Sequence, residues 1–213
     1  MRPLNLGDFV FLLHGLLWTV VLSFSALAAG GVVAGLLVGL RLLRSRVLDA
    51  LVYGYVGLFQ GTPLLGQLLF FYFGLSIIGF DIEAFAAAVF TLSLYAAAFL
   101  SEIWRGAIVA VPRQQWEAGE SLGLSRLQTL LNVVLPQAMR SAIPPTVGFF
   151  VILIKDSSLV SVLGFIELTR AAQMINNSTF RSFTIFGTVA VLYFALCFPI
   201  SRLSRRLEAR FHH

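Results

Sequence analysis

Charge is scarce in this sequence. Of 213 residues, 12% are Asp, Glu, Lys or Arg and 58% are hydrophobic, whereas a soluble domain of this length carries about twice that charged fraction. That excludes an ordinary soluble protein. No polar linker separates two cores, so one domain covering residues 1–213 is expected. Cysteine is almost missing. The single Cys197, set in an apolar run, rules out an internal disulfide and a cysteine-based metal site, and reads as a small buried or lipid-facing hydrophobe. Histidine is nearly as rare: His14 stands alone among leucines with no acid or metal partner by spacing, and His212 and His213 resemble the stub of a purification tag. An enzyme needs a nucleophile–base pair or a metal cluster, and neither spacing occurs. A phosphate-cradling glycine loop is also lacking, so the chain is not expected to hydrolyse ATP or to hold a cofactor or metal of its own. The start, "MRPLNLGDFV", has no evident cleavage pattern, and the apolar run after it is expected to stay as an anchor.

Apolar runs are what the chain has in abundance. A helix needs roughly 20 apolar residues to cross a bilayer, and five such regions are legible, at about 9–40, 51–78, 84–104, 146–165 and 183–200. The expected fold class is therefore all-α integral membrane, with about five transmembrane helices. Arg41, Arg44 and Arg46, the loop residues Arg105, Arg113, Arg126 and Arg140, and Arg202, Arg205, Arg206 and Arg210 fall on one face of that topology; Arg2, Arg170 and Arg181 fall on the other. Lys and Arg concentrate on the cytoplasmic side. The N-terminus is thus expected outside and the C-terminus inside. The net charge of +5 follows from this orientation and is no sign of nucleic-acid binding. Gly31, Gly35 and Gly39 recur at four-residue spacing, a strip along which another helix can pack closely.

Several features interrupt the runs. Residues 113–122 suit a short helix, Gly123 a left-handed cap, and Ser125 the N-cap of a second helix through about Val134, which Pro136 is expected to end. The product is a cytoplasmic helix–turn–helix. Trp116, Leu122, Leu124, Leu127, Leu130 and Leu131 give it an apolar surface for a partner or, alternatively, for the lipid surface. Within the second run, Thr62 and Pro63 read as an N-cap and first helical position. They mark either a simple kink or a half-helix whose free amides face a substrate carboxylate. In the fourth run Lys155 and Asp156 point about 100° apart. Either Asp156 lines a path while Lys155 snorkels outward, or both mark the outer end of the span. Tyr95 and Glu102 share a face two turns apart, with Glu102 and Arg105 spaced as a local helix pair. The outer stretch "FIELTRAAQMINN" reads as an amphipathic helix with Glu167 and Arg170 also three apart.

Glu117, Ala118, Gly123 and "VVLP" (residues 133–136) resemble the signature of ABC importer membrane subunits: Glu-Ala-Ala, three residues, Gly, nine residues, Ile, any residue, Leu-Pro. Gly119 replaces the second Ala and Val133 the Ile. "GTPLLGQLLFFYFGL", "SEIWRGAIVAVPRQQWEAGESLGLS", "LPQAMRSAIPP", "KDSSLVSVLGFIELTRAAQ" and "TFRSF" extend the resemblance to the polar amino-acid branch over essentially the whole chain. The resemblance implies a type I importer permease with a coupling helix in a loop of about residues 113–136. It also implies a second, similar permease subunit, a cytoplasmic ATPase dimer that binds ATP and Mg, and an extracytoplasmic substrate-binding protein in a bacterial inner membrane. Trp116, Glu117, Ala118, Gly119, Leu122, Gly123 and Leu124 are assigned to ATPase coupling. Gln60, Thr62, Gln67, Tyr95, Phe149, Asp156 and Ser157 are assigned to the substrate path. Gln60 stands where family members often carry Arg, and Phe149 where they often carry Gln or Glu. The implied cargo is a polar amino acid, with another small polar solute such as an opine or amino-acid derivative as the alternative. A passive channel would need no docking helix.

Overall fold

The computed structural model describes residues 2–43 and 45–211, and its elements are all helical. Expectations attached to Arg44, His212 and His213 lie outside the described residues. Helix α1 (Leu6–Leu42) is followed by α2 (Arg46–Gly61), α3 (Leu64–Ile77), α4 (Ala84–Ala110) and the short α5 (Arg113–Ser121). Then α6 (Arg126–Thr129), a π-turn (Leu130–Val134), α7 (Leu135–Asp156) and a 3-10 stretch (Ser157–Leu163) run on as one rod of 38 residues. Helices α8 (Leu168–Thr179) and α9 (Ser182–Phe211) complete the chain.

Helix α1 starts at a reciprocal cap: Asn5 accepts from the Asp8 amide and Asp8 accepts from the Asn5 amide, each at 3.0 Å. Its 37 residues reach about 55 Å, well beyond a hydrocarbon core of about 30 Å. Helix α4 runs parallel to it. Trp18 meets Phe85 near their starts, with ring centroids 5.8 Å apart, and Arg41 pairs with Glu102 near their ends. The intervening α2–α3 pair, bent by 102°, must therefore carry the chain back across the bundle. With the bent pair counted as one span, the described residues hold five segments long and apolar enough to cross a membrane. Trp104–Thr146 and Ser204–Pro144 hydrogen bonds place the remaining spans antiparallel in turn. One end of the bundle gathers Arg41, Arg105, Arg113 and Arg126; at the opposite end Arg2 bonds Asp8 and Ser178.

Small residues set the closest packing. The α1–α4 contact is built from Ala26, Ala34, Ala88, Ala96 and Ala97, all buried. A side chain at Gly30 would meet the Ser93 carbonyl at 2.7 Å and the Ala96 methyl at 2.8 Å, and one at Gly15 would meet the Leu168 backbone at 3.0 Å. The close approaches are thus at Gly15 and Gly30, not on the expected strip. Gly31 and Gly35 only flank the Trp104 ring, and Gly39 faces open space. The reason is register: Gly30 lies on the buried face that carries Leu22, Ala26 and Ala34, whereas the strip is turned about 100° away. Outward-facing Leu36, Phe70, Val191 and Phe194 are more than half exposed, which suits a surface whose solvent is lipid.

Three further expectations are corrected by the structure. Thr62 does not cap α3 with its side chain; its hydroxyl donates to the Leu58 carbonyl at 2.7 Å and closes α2, while Pro63 occupies the N-cap. Pro136 does not end the second helix of the loop. The π-turn before it, in which the Leu135 amide reaches back to the Leu130 carbonyl, accommodates the proline without breaking the rod. The fourth span consequently begins some 20 residues earlier than expected, at Arg126. The outer stretch does form a helix, α8, and Glu167 stands at its N-cap. It is fully buried and caps α8, accepting from the Thr169 and Arg170 amides at 2.8 and 2.7 Å, and takes a bond from the Tyr193 hydroxyl at 3.2 Å.

Replacing Gly30 with Val is expected to lower stability by about 1–3 kcal/mol through overpacking, whereas Gly39→Ala, with open space around it, is expected to cost nothing and to add up to about 1 kcal/mol of helix propensity. Thermal unfolding of both variants in lipid nanodiscs checks the contrast.

Candidate functional site

Residues of the predicted coupling loop fold locally as their chemistry dictates. Helix α5 ends in a pair of bonds that define a Schellman closure: the Gly123 amide donates to the Glu120 carbonyl at 2.9 Å and the Leu124 amide to the Gly119 carbonyl at 3.1 Å. Gly123 takes the required left-handed conformation at φ +75°. Ser125 then starts α6 with a reciprocal cap, accepting from the Gln128 amide while the Gln128 side chain accepts from the Ser125 amide. The two helices are clamped together. The Arg126 guanidinium lies 5.6 Å from the Trp116 ring centroid, a cation–π contact. Gln137 donates to Gln115 at 3.3 Å, and Gly119 is the buried residue of α5.

Glu117, Ala118, Leu122 and Leu127 face outward from this clamp, Leu122 at 79% exposure and Leu127 at 63%. Glu117 makes only a loose, exposed contact with Arg113 at 3.6 Å, a kind of pair that contributes little within one chain. The arrangement leaves the Glu117 carboxylate and Leu122 on the outer side of α5, with Leu127 outward on α6.

The seven residues assigned to a path do not gather in one place. Tyr95, Phe149 and Asp156 form one group. Phe149 is buried and stacks on Phe99 at 5.3 Å; Tyr95 packs on Phe99 at 4.7 Å, with Asp156 in its neighbourhood. Asp156 is half-buried at the end of α7 while its neighbour Lys155 points outward. Thr62 and Gln67 form a second group at the bend. The Gln67 side chain is buried, and its Nε2 donates to the Phe59 carbonyl at 2.9 Å, the Thr62 carbonyl at 3.1 Å and the Thr62 hydroxyl at 2.8 Å. Those carbonyls are left without helical donors where α2 breaks, so Gln67 serves as a pin across the bend. Ser157 is buried and donates to the Ile154 carbonyl of its own helix at 2.7 Å.

Gln60 belongs to a third group. Exposed on α2, it donates to the Ala98 carbonyl at 3.4 Å and lines a polar cavity of about 660 Å³ with Arg41, Asp49, Tyr53, Glu102 and Arg105. Glu102 bonds Arg105 at 2.7 Å, as its spacing predicts, and is also held by Arg41, whose Nε lies 3.9 Å from Asp49. Sequence reading missed the Arg41 contact because it spans 61 residues. The available signal was an arginine at the end of an apolar helix, which requires a partner or an exit to water.

The model of the binding-protein-dependent transport system inner membrane component family matches residues 31–213. The chain is 39% identical over 197 residues to the glutamine transport system permease protein GlnP of Escherichia coli K12, covering 91% of this chain and 88% of that protein. It is 37% identical over 206 residues to the arginine ABC transporter permease protein ArtQ of Haemophilus influenzae, covering 92% and 93%. Among solved structures, a crystal structure of an amino acid ABC transporter with histidines superposes with a TM-score of 0.90 at 32% identity, covering 98% of this chain and all of that one. An inward-facing MetNI methionine ABC transporter shares the fold, with a TM-score of 0.79 at 21% identity over 98% of this chain and 99% of that chain.

Gln67→Leu removes the donor from the carbonyls at the bend and is expected to cost about 1–3 kcal/mol. A lower melting temperature, together with a broadened spin-label distance distribution between α2 and α3, is the expected result.

Proposed function

This chain belongs to the binding-protein-dependent transport system inner membrane component family, and on that premise we propose that it is the permease subunit of an ATP-driven importer that moves a polar amino acid into the cytoplasm. The observation that carries the reading is α5. A short helix, capped at its C-terminus by Gly123 and clamped by Trp116 to α6, turns Glu117, Ala118 and Leu122 outward. It is a rigid docking element for a separate ATPase dimer, which supplies the ATP and Mg sites. Because α6 continues into the 38-residue rod, a push on α5 travels without interruption toward Asp156 and the substrate path.

The amino-acid cargo is supported by relatives named for glutamine and arginine transport. In the path itself, Asp156 is the anionic group suited to an α-amino or cationic side-chain group, with Tyr95 beside it and the aromatic Phe149 as wall. The polar cavity at Gln60 opens toward the arginine-rich end and serves as the inner vestibule. Thr62, Gln67 and Ser157 act from behind, holding the bend and the end of the rod. The chain forms one transmembrane domain in the bacterial inner membrane, with the N-terminus outside and the arginine-rich end in the cytoplasm. It pairs with an identical or homologous permease and receives its cargo from an extracytoplasmic binding protein.

The test is reconstitution of the complex with its ATPase and binding protein in liposomes. Gly123→Val forces a β-branched residue into the left-handed conformation, at a cost of about 1–2 kcal/mol, and is expected to leave insertion intact while ATP hydrolysis no longer drives uptake. Gly123→Asn, which tolerates that conformation, keeps most of the activity. Undiminished uptake by the Val variant would count against the assignment of α5. Asp156→Asn is expected to reduce uptake while the complex still assembles; unchanged transport kinetics would remove Asp156 from the path.

A further inference from the structure

The tightest contact in the cytoplasmic loop is one that neither residue's type announces. A Cβ built on Gly119 would lie 2.5 Å from Thr129 Cγ2, 2.7 Å from its Oγ1 and 3.1 Å from its Cβ. All three distances are shorter than an unstrained carbon contact of about 3.5 Å. Nothing in the surroundings lets Thr129 yield. It is fully buried, its backbone belongs to α6, and its hydroxyl donates to the Ser125 carbonyl at 3.1 Å. Rotation about χ1 gives no relief either. Two of the three staggered positions on its Cβ face Gly119, and threonine has only one hydrogen to place among them, so a heavy atom always remains in the way.

Helix α5 packs chiefly on α6 and the π-turn. Its further ties to the rod are Trp116, which packs against the cluster of Leu130, Val134 and Ala138 and carries the cation–π contact with Arg126, and the Gln115–Gln137 bond. How deeply α5 sits on the rod is set where its buried Gly119 meets Thr129. Thr129 in turn immediately precedes the π-turn at Leu130–Val134.

We propose that Gly119 and Thr129 form a matched steric joint that fixes α5 on the Arg126–Leu163 rod and thereby determines how much ATPase movement reaches the membrane path. Both are positioning residues: Gly119 is turned inward, away from the outward face of α5, and Thr129 is buried beneath it. The proposal rests on α5 being the helix that docks the ATPase. A methyl at 119 lifts α5 off the rod by a fraction of an ångström to an ångström and lets it tilt independently. Motion is then absorbed at the joint.

The experiment uses the complete transporter in liposomes and measures amino acid taken up per ATP hydrolysed, alongside cross-linking of a Leu122→Cys permease to the ATPase. Gly119→Ala is expected to lower that ratio about tenfold, the scale of a modest overpacking penalty at a joint, while ATP hydrolysis continues. Thr129→Ala removes the two closest atoms, and the double variant Gly119→Ala/Thr129→Ala is expected to return the ratio to within about twofold of the parent. Should Gly119→Ala alone fail to assemble, recovery of both assembly and ratio in the double variant carries the same conclusion. A parental ratio in Gly119→Ala, or a double variant no better than Gly119→Ala, overturns the joint even where Leu122→Cys links to the ATPase. Absence of any such link in an active complex overturns the docking reading, and the joint with it.

Discussion

Inside a bilayer no water is available to satisfy a broken helix, so each interruption of the backbone must bring its own hydrogen-bond partner. That constraint organises this structure. Where the chain bends by 102° between α2 and α3, Gln67 reaches back to the freed Phe59 and Thr62 carbonyls, and Thr62 closes on Leu58. At Pro136, which has no amide to give, the hydrogen-bond register slips by one residue into a π-turn. Where the rod gives way to α8, the buried Glu167 accepts from two amides and from Tyr193. Even single hydroxyls conform: Thr19, Ser23, Thr91 and Thr146 donate to carbonyls of their own helices.

The same constraint shapes the transport machinery. A span that bends sharply needs a buried polar pin, and the pin frees the outer face of the bend for other uses. A rod that tolerates Pro136, Pro144 and Pro145 without breaking can reach from the α5–α6 clamp to Asp156. Association between the spans draws little from hydrophobicity, because lipid is as apolar as the helices, so close van der Waals packing at Gly15, Gly30 and the alanines takes its place. One end of the bundle is rich in charge. There the Arg41–Glu102–Arg105 cluster ties α1 to α4 beside the polar cavity.

Local signals were legible in particular residues. Ser125 and Gln128 announce a helix start, Gly123 its predecessor's end, and both take the expected conformations. Long-range consequences were not. Gly119 reads as a mild departure from a motif, yet its hydrogen fills the only space that Thr129 leaves. Glu102 reads correctly as a partner of Arg105, but its second partner lies 61 residues away. Gln67 reads as a polar residue in a pathway; in the fold it points back into the bend.

Composition and hydropathy by themselves determined the helical membrane class and the approximate number of spans, because each depends on the solvent a segment meets and not on its neighbours. Which glycine is packed against, whether a proline ends a helix, and whether a glutamine faces open space or pins a bend were decided by tertiary structure alone. Those outcomes turn on helix register and on distances of a few tenths of an ångström between elements remote in the chain, and periodicity along one strand of sequence carries no record of them.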